Sequence, residues 1–581
     1  MGRISVAAGF CFAAAVLCQA VAAQSASPTA STPIIPVVGV QTGIDVKTGQ
    51  RPGRQNINNL YARGGPQWDL YVLALSELQA VNETDALSYF AIAGIHGLPH
   101  SAWNGVEQVS GAPKNTGYCP HNLLLQELLF STWHRAYVAL FEQTLVSHAL
   151  RIASQYPSSS SPAYQAAAQT LRQPYWDWAS QPRLPTAAIL ANITVNGPSG
   201  VVTLRNPLYS YRFQQQSAES GFGGPLAELQ ETVRCLEIQG LGHNITASDE
   251  QMDSVAKDLI NDVYDVFTRT QTFEDMAFDR WQGSSFENPH NIVHNHAGCG
   301  GTIGNIDWSA FDPIFMLHHC NVDRLTAMWQ AIHYNHPMFT TTGRSTGQYA
   351  TPKGALITAD SPLKPFYDKN LRFHTSNTVS NTRELGYTYP EINDWSATPE
   401  EMAIYVRAQV NMLYGSDTTR VTARADSVVS QSHHQGKDNR PATLLRPQSR
   451  YYTAVVQVNR SEIPLPSTIN LVISGFIVGR MSMLSMPSEG LASVSLPLRD
   501  VVVGNESLHN MDHVTAISFL QQNMTIDIHM NNGATVSVET APSLQLEVQD
   551  MNYVAQLNNT GFPSFGNATR WPVRVRPSMR S

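Results

Sequence analysis

The sequence predicts a mainly α-helical catalytic domain followed by a C-terminal β-sandwich or barrel domain. Three observations predict it. Between Trp68 and Tyr414, segment after segment repeats its apolar residues at spacings of three and four, as helices with one buried face do. Residues 415–449 lose all pattern; "SDTTRVTARADSVVSQSHHQGKDNRPATLLRPQS" is polar, turn-rich and reads as a linker. From residue 450 the apolar period becomes two, the period of half-buried strands.

Residues 1–23 carry Arg3, an apolar run and small residues around Ala20–Ala23, which predicts a secretory signal peptide; an uncleaved anchor is the other reading. No later apolar run is long enough to cross a bilayer, so no membrane partner is expected. Residues 24–57 are rich in Pro, Ser, Thr and Gly and are expected as a loose arm. The helical domain spans 58–414. Its clearest helices are "WDLYVLALSELQAV", "DALSYFAIAGIHG", "ELLFSTWHRAYVALFEQTLVSHALRIA", residues 251–269, residues 313–332 and "TPEEMAIYVRAQVNMLYG". In the 450–581 domain, "YTAVVQV", "TINLVIS", "ASVSLPL", "MTIDIHM", "ATVSVET" and "LQLEVQD" are expected strands.

Composition narrows the function. A net charge of −8 without a long basic run excludes a nucleic-acid surface. Of eight N-x-S/T triplets, at Asn82, Asn192, Asn244, Asn459, Asn505, Asn523, Asn558 and Asn567, five follow residue 450, which points to a glycosylated, surface-rich C-terminal half. Cys11 and Cys18 would leave with the signal. The remaining Cys119, Cys235, Cys299 and Cys320 are too few to hold a fold of this length, so the fold rests on its core.

The histidines carry the chemistry. In "FENPHNIVHNH", Asn288 is the expected N-cap and Pro289 the first helical residue, which sets His290 and His294 one turn apart on one face. In "FDPIFMLHHCNVDRLTAMW", Asp312 caps, Pro313 opens the helix, and His318 and His319 both lie near the buried stripe of Phe315, Val322, Leu325 and Trp329. Periodicity does not choose between those two. A first group is His96 in "AGIHGLPH", His121 in "CPHN" and His134 in "STWHRAY". A lone buried histidine is usually a core residue. Two sets of three are different, because burying so many imidazoles without partners is costly and two metal ions would satisfy them all. An all-imidazole set suits copper, zinc, iron or nickel.

"WDLYVLALSELQAV", "SYFAIAGIHG", "GYCPH", "TWHRAYVALFEQ", "PYWDWAS", "NPHNIVH", "FDPIFMLHHCNVDRL" and "GYTYP" together resemble the fungal tyrosinases, of the dinuclear copper family that includes catechol oxidases and hemocyanins. The resemblance implies a four-helix bundle holding two copper ions, and oxidation of small phenols by O2. It implies His96, His121 and His134 as ligands of one copper and His290, His294 and His319 as ligands of the other, with His318 a packed neighbour. It implies a thioether from Cys119 to the His121 imidazole; the other reading of Cys119 is a disulfide to Cys235 or Cys299. It implies a water, held by Glu287 and Asn291, that takes the proton of a monophenol. Asn321 and Asp323 are candidate acceptors for ligand imidazole N–H groups, and Phe315 is expected to pack on the site. By the same resemblance the β domain would cover the copper pocket until proteolysis in 415–449, and the pathway would be melanin or phenolic secondary metabolism.

One stretch departs from the family. His121 and His134 are separated by four residues more than the pattern expects, and removing Leu123–Gln126 restores it. Four residues add about 6 Å and roughly 40° of rotation to a helix. Leu-Leu-Leu-Gln is also what a pyrimidine-rich intron acceptor ending in CAG would encode, so a misplaced splice boundary is expected. Three other functions remain open: a catechol oxidase without hydroxylase activity, an oxygen carrier with the same six histidines, and a zinc-holding, non-redox relative of secondary metabolism.

Overall fold

The computed structural model describes residues 33–113, 115–120, 128–214, 228–235, 242–277, 283–336, 338–415, 449–498, 512–556 and 558–578. His121 and Leu123–Gln126 lie outside them, as do the signal peptide and nearly all of the expected linker.

Helices come first: α1 (Ile57–Arg63), α2 (Pro66–Ala80), α3 (Tyr89–Gly94), α4 (Phe130–Ala153), α5 (Ser161–Thr170) and α6 (Thr186–Ile189). A hairpin of β1 (Asn192–Gly197) and β2 (Gly200–Arg205) interrupts them. Then follow α7 (Ile245–Ser254), α8 (Ala256–Arg269), α9 (Phe273–Ala277), α10 (Glu287–Gly298) and α11 (Ile314–Ile332). After a two-residue pair, β3 (Gly343–Arg344) and β4 (Leu356–Ile357), α12 (Pro399–Tyr414) closes the helical part. Its start is fixed by a capping box, in which the Thr398 hydroxyl accepts from the Glu401 N–H and the Glu401 carboxylate accepts from the Thr398 N–H. Among the described residues, no helix is long and apolar enough to cross a membrane.

The C-terminal part is β5 (Ser449–Asn459), β6 (Ser467–Ile473), β7 (Phe476–Met483), β8 (Leu491–Pro497), α13 (His513–Asn523), β9 (Met524–Met530), β10 (Thr535–Val536), β11 (Gln545–Val554), β12 (Ser564–Phe565) and β13 (Thr569–Val573). Two antiparallel sheets form, ordered β10-β9-β6-β7 and β12-β11-β5-β8 with β13 also on β11. Their inner faces share one core: Ala454, Val456 and Val458 of β5 and Val494 and Leu496 of β8 meet Ile469, Leu471 and Ile473 of β6 and Ile526 and Ile528 of β9. The period of two has become a sandwich.

Residues 34–57 are not a loose arm. Val37 and Val40 are buried, the Val37 N–H donates to the Tyr367 carbonyl, and Arg54 is fully enclosed. Arg54 donates to Glu142 of α4 (2.8 Å), to Asp323 of α11 (3.1 Å) and to the Tyr389 hydroxyl (3.0 Å). A buried guanidinium with carboxylate partners is a fixed point, and it draws the preceding chain into the core.

Candidate metal centre

Helix α4 packs against α2 and α11, and the His290 and His294 rings of α10 lie against the His318 and His319 rings of α11. His134 sits on α4, His290 and His294 on α10, His318 and His319 on α11, and His96 two residues beyond α3. Helix α10 starts at Glu287, earlier than the Asn288 cap predicts. Phe286 precedes it and the Glu287 N–H donates to the Ser285 hydroxyl (3.1 Å). The Asn288 side chain instead donates to Asp262 of α8 (2.8 Å) and bonds the main chain of β7. Helix α11 starts at Ile314, one residue later than expected, with Pro313 before it; the Asp312 carboxylate accepts from the Ile314 N–H (3.1 Å) while pairing with Arg234 (2.7 Å).

Two clusters result. His290, His294, His318 and His319 form one; His96, Cys119 and His134 form the other; all seven side chains are buried. The clusters face each other. The His134 and His319 rings stack at 4.1 Å between centroids and 11° between planes, and His96 lies 5.6 Å from His134 and 6.4 Å from His319. Phe130, one turn before His134 on α4, touches both His134 and His290 at 4.8 Å. Phe315 packs on His319 (4.2 Å) and His96 (4.9 Å).

Hydrogen bonds orient the rings. Four Nδ1 atoms have an oxygen acceptor: Ile306 carbonyl for His96 (3.1 Å), Phe130 carbonyl for His134 (2.9 Å), Ile303 carbonyl for His294 (2.7 Å) and Asn291 Oδ1 for His290 (2.9 Å), whereas His319 Nδ1 has none among the described residues. A carbonyl only accepts, so Nδ1 carries the proton and Nε2 keeps a lone pair aimed into the site. Burial drives His96, His318 and His319 well below the ordinary imidazole range. It takes His134 down to about 3 and His294 to about 4, so the rings are neutral, as ligands must be.

The donors fit metal ions. The Nε2 atoms of His294 and His319 are 3.4 Å apart. Two imidazole nitrogens each about 2.0–2.1 Å from one ion, at a near-tetrahedral angle, sit roughly that far apart. His318 stacks on His290 (5.0 Å), and neither of its ring nitrogens has a hydrogen-bond partner among the described residues.

The other expected residues fall as follows. Asp323 and Asn321 do not receive the imidazole protons, which go to the acceptors above. Asp323 accepts from Arg135 (2.5 Å), Arg54 (3.1 Å), Tyr387 (2.6 Å) and Tyr389 (2.7 Å), so the GYTYP segment is tied to α11 through one carboxylate. Asn321 accepts from Arg324 (3.1 Å). Cys235 is disulfide-bonded to Cys299 at the end of α10, which removes the alternative pairing for Cys119. The Cys119 sulfur lies 3.5 Å from His134 Nε2; its expected thioether to His121 falls outside the described residues. Glu287 and Asn291 are both buried in the first turns of α10.

The β domain lies against this helix. Asn288, Asn291 and Asn295 hydrogen-bond the main chain of β7, Arg480 pairs with Asp258 of α8, and the Tyr451 hydroxyl donates to Asp265 (2.7 Å). Beyond β7, Met486 joins His96, Cys119 and Ile306 in lining a small cavity. Sequence reasoning missed these contacts. The only available signal was the "HN" doubling in "PHNIVHN", which repeats polar amides beside both histidines.

A family model described as the common central domain of tyrosinase matches residues 86–332. A tyrosinase of Podospora anserina is 34% identical over 414 residues, covering 66% of this chain and 70% of that protein. Polyphenol oxidase 3 of Agaricus bisporus is 31% identical over 427 residues, covering 70% and 71%. A mushroom tyrosinase solved in latent and active forms shares the fold with a TM-score of 0.78 at 22% identity, over 94% of this chain and 100% of that one. A mutant pro-tyrosinase of Aspergillus oryzae does so with a TM-score of 0.71 at 21% identity, over 94% and 98%. With two facing clusters of neutral imidazoles and relatives of this identity, the chain belongs to the tyrosinase family and is a dinuclear copper enzyme that oxidises phenols.

Proposed function

We propose that the enzyme both hydroxylates monophenols and oxidises o-diphenols to o-quinones, with O2 as oxidant. His96, His121 and His134 would hold one copper and His290, His294 and His319 the other. When bound, the copper pair supplies electron transfer between phenol and O2. The observation that carries the assignment is the 3.4 Å separation of the His294 and His319 Nε2 atoms, with His319 stacked on His134 of the facing cluster. It favours His319 over His318 as the ligand on α11.

The chain's own residues do the rest. Backbone carbonyls at 303, 306 and 130 fix the ligand tautomers. Phe315 and Phe130 hold the imidazole planes and keep bulk water out. A phenol is protonated near neutral pH, so hydroxylation needs a base. Glu287 and Asn291, within the first five residues of α10, would hold a water for that proton transfer.

The C-terminal sandwich would act as a cover. The bond of β7 to Asn291 beside His290 and the position of Met486 beside His96 and Cys119 support this, and residues 415–449 would join the cover to the helical domain. The signal-like first 23 residues and the sequons support secretion as a glycoprotein. Quinone formation from a monophenol and from a diphenol, measured before and after limited proteolysis, tests the reading. Oxidation of the diphenol alone in both states would reduce the enzyme to a catechol oxidase.

A further inference from the structure

The carbonyls that orient His294 and His96 come from one short segment. Ile303 accepts from His294 Nδ1 (2.7 Å) and Ile306 from His96 Nδ1 (3.1 Å). The first histidine belongs to the cluster on α10 and α11, the second to the facing cluster. The segment has little freedom of its own. The Asn305 N–H donates to the Thr302 carbonyl (3.1 Å) and the Trp308 N–H to the Asn305 carbonyl (2.9 Å), two consecutive turns that leave few loose dihedrals between 302 and 308. Farther along, the Asp307 carbonyl accepts from the Leu98 N–H (3.0 Å), two residues beyond His96, and the Ser309 hydroxyl donates to the Ile306 carbonyl (3.0 Å). A shift at residue 302 therefore moves both acceptors.

What fixes residue 302 lies outside the two clusters. Helix α10 ends at Gly298, and Cys299 follows in the left-handed region (φ 31°, ψ 59°), which turns the chain back on the helix. The return is backbone on backbone: a Cβ on Gly298 would stand 2.3 Å from the Gly304 nitrogen. Residues 233–235 clasp this turn. The Cys235 N–H donates to the Gly298 carbonyl (2.8 Å), the Thr302 N–H to the Val233 carbonyl (2.8 Å) and the Val233 N–H to the Thr302 hydroxyl (2.9 Å). The disulfide between Cys235 and Cys299 closes the clasp covalently, across 64 residues of sequence. Val233, Cys235 and Thr302 are buried, so their polar groups are expensive to leave unpaired.

We propose that this disulfide-closed clasp is a positioning lock for both metal clusters. By holding residue 302 it sets the Ile303 and Ile306 carbonyls, and through them the ring planes and tautomers of His294 and His96. With the clasp open the segment slips, and both clusters bind metal less tightly. Cys235, Cys299 and Thr302 act through the segment, not as ligands. The inference rests on the assignment of His96 and His294 as copper ligands.

The test reads metal rather than turnover, on the full folded chain. Copper affinity is measured by chelator competition, with copper counted per chain. The proteins are the wild type, the double variant Cys235→Ser with Cys299→Ser, Thr302→Val and Thr302→Ser. The double variant is expected to hold both coppers about tenfold more weakly. Thr302→Val keeps the disulfide but leaves the Val233 N–H unpaired, and it should weaken both coppers in the same direction. Thr302→Ser restores the acceptor and should return the wild-type affinity. Urea unfolding of the metal-free proteins separates the lock from a plain staple, which would lower the double variant's midpoint and leave copper affinity unchanged. That result overturns the lock, as does weakening confined to one copper. Should the double variant fail to fold, the Thr302 pair decides: wild-type affinity in Thr302→Val overturns the lock. Fewer than two coppers in the wild type overturns the ligand assignment instead.

Discussion

Asn291 donates its side-chain amide to the Ser482 carbonyl at 3.2 Å and accepts from His290 Nδ1 at 2.9 Å. One carboxamide thus joins a candidate copper ligand to an edge strand of the β domain. While β7 is docked, the strand occupies one of the two N–H groups of that amide.

Loosening the domain interface should therefore raise activity without proteolysis. Arg480 pairs with Asp258, and both are largely buried. Removing one partner of such a pair costs the interface about 2–5 kcal/mol. Arg480→Ala in the full chain is expected to raise monophenol oxidation by roughly an order of magnitude as the open population grows. Steady-state rates of the intact variant check this; an unchanged rate would mean that the β domain does not gate the site.

Glu287→Gln should separate the two reactions. Loss of a positioned base costs about a hundredfold or more in the step that needs it. Monophenol hydroxylation should fall by about that factor, while diphenol oxidation changes by less than about threefold. Parallel rate measurements on a monophenol and its matching diphenol decide the point. Equal losses would make Glu287 a structural residue.

Asp323 makes a pH prediction. Burial alone would raise its carboxyl, but Arg135 and Arg54, with the hydroxyls of Tyr387 and Tyr389, more than offset that and hold it below the ordinary value of 3.8. A depressed folded-state pKa adds stability that is present above the unfolded value and lost as pH falls through the folded one. Asp323→Asn should lose about 3–5 kcal/mol near neutral pH, because two buried guanidiniums keep only part of their compensation. Urea unfolding at a series of pH values should show the two proteins converging only well below pH 4.

The extra leucines have their own check. Lys114 and Arg135 bound a tryptic fragment containing Leu123–Gln126. Mass spectrometry of the secreted protein should find this fragment without those four residues. A fragment that retains them would refute the splice-boundary reading.

The legible parts of the molecule were those governed by local periodicity. The i, i+4 pair His290 and His294, the α11 histidines and the period-two strands all follow from spacing alone. Strand β7 did not appear because "FIVGRMSM" lacks clean alternation. One end of it is exposed, the other is buried, and Gly479 sits against Leu496. Its structure is set by the sheet on one edge and the α10 asparagines on the other. The ordering of residues 34–57 was illegible for a similar reason: it depends on Arg54 meeting Glu142 and Asp323, residues 88 and 269 positions away. Asp323 looked like a partner for ligand histidines because it sits beside them on α11, yet its four donors come from other segments.

The central claim is that imidazoles from two facing clusters hold two copper ions, with His319 rather than His318 completing the set on α11. Copper content per chain, measured on the wild-type protein and on His318→Gln and His319→Gln, tests it most directly. The account predicts two coppers in the wild type and in His318→Gln, and loss of about one in His319→Gln. A single metal per chain in the wild type, or copper lost from His318→Gln and kept in His319→Gln, would contradict it.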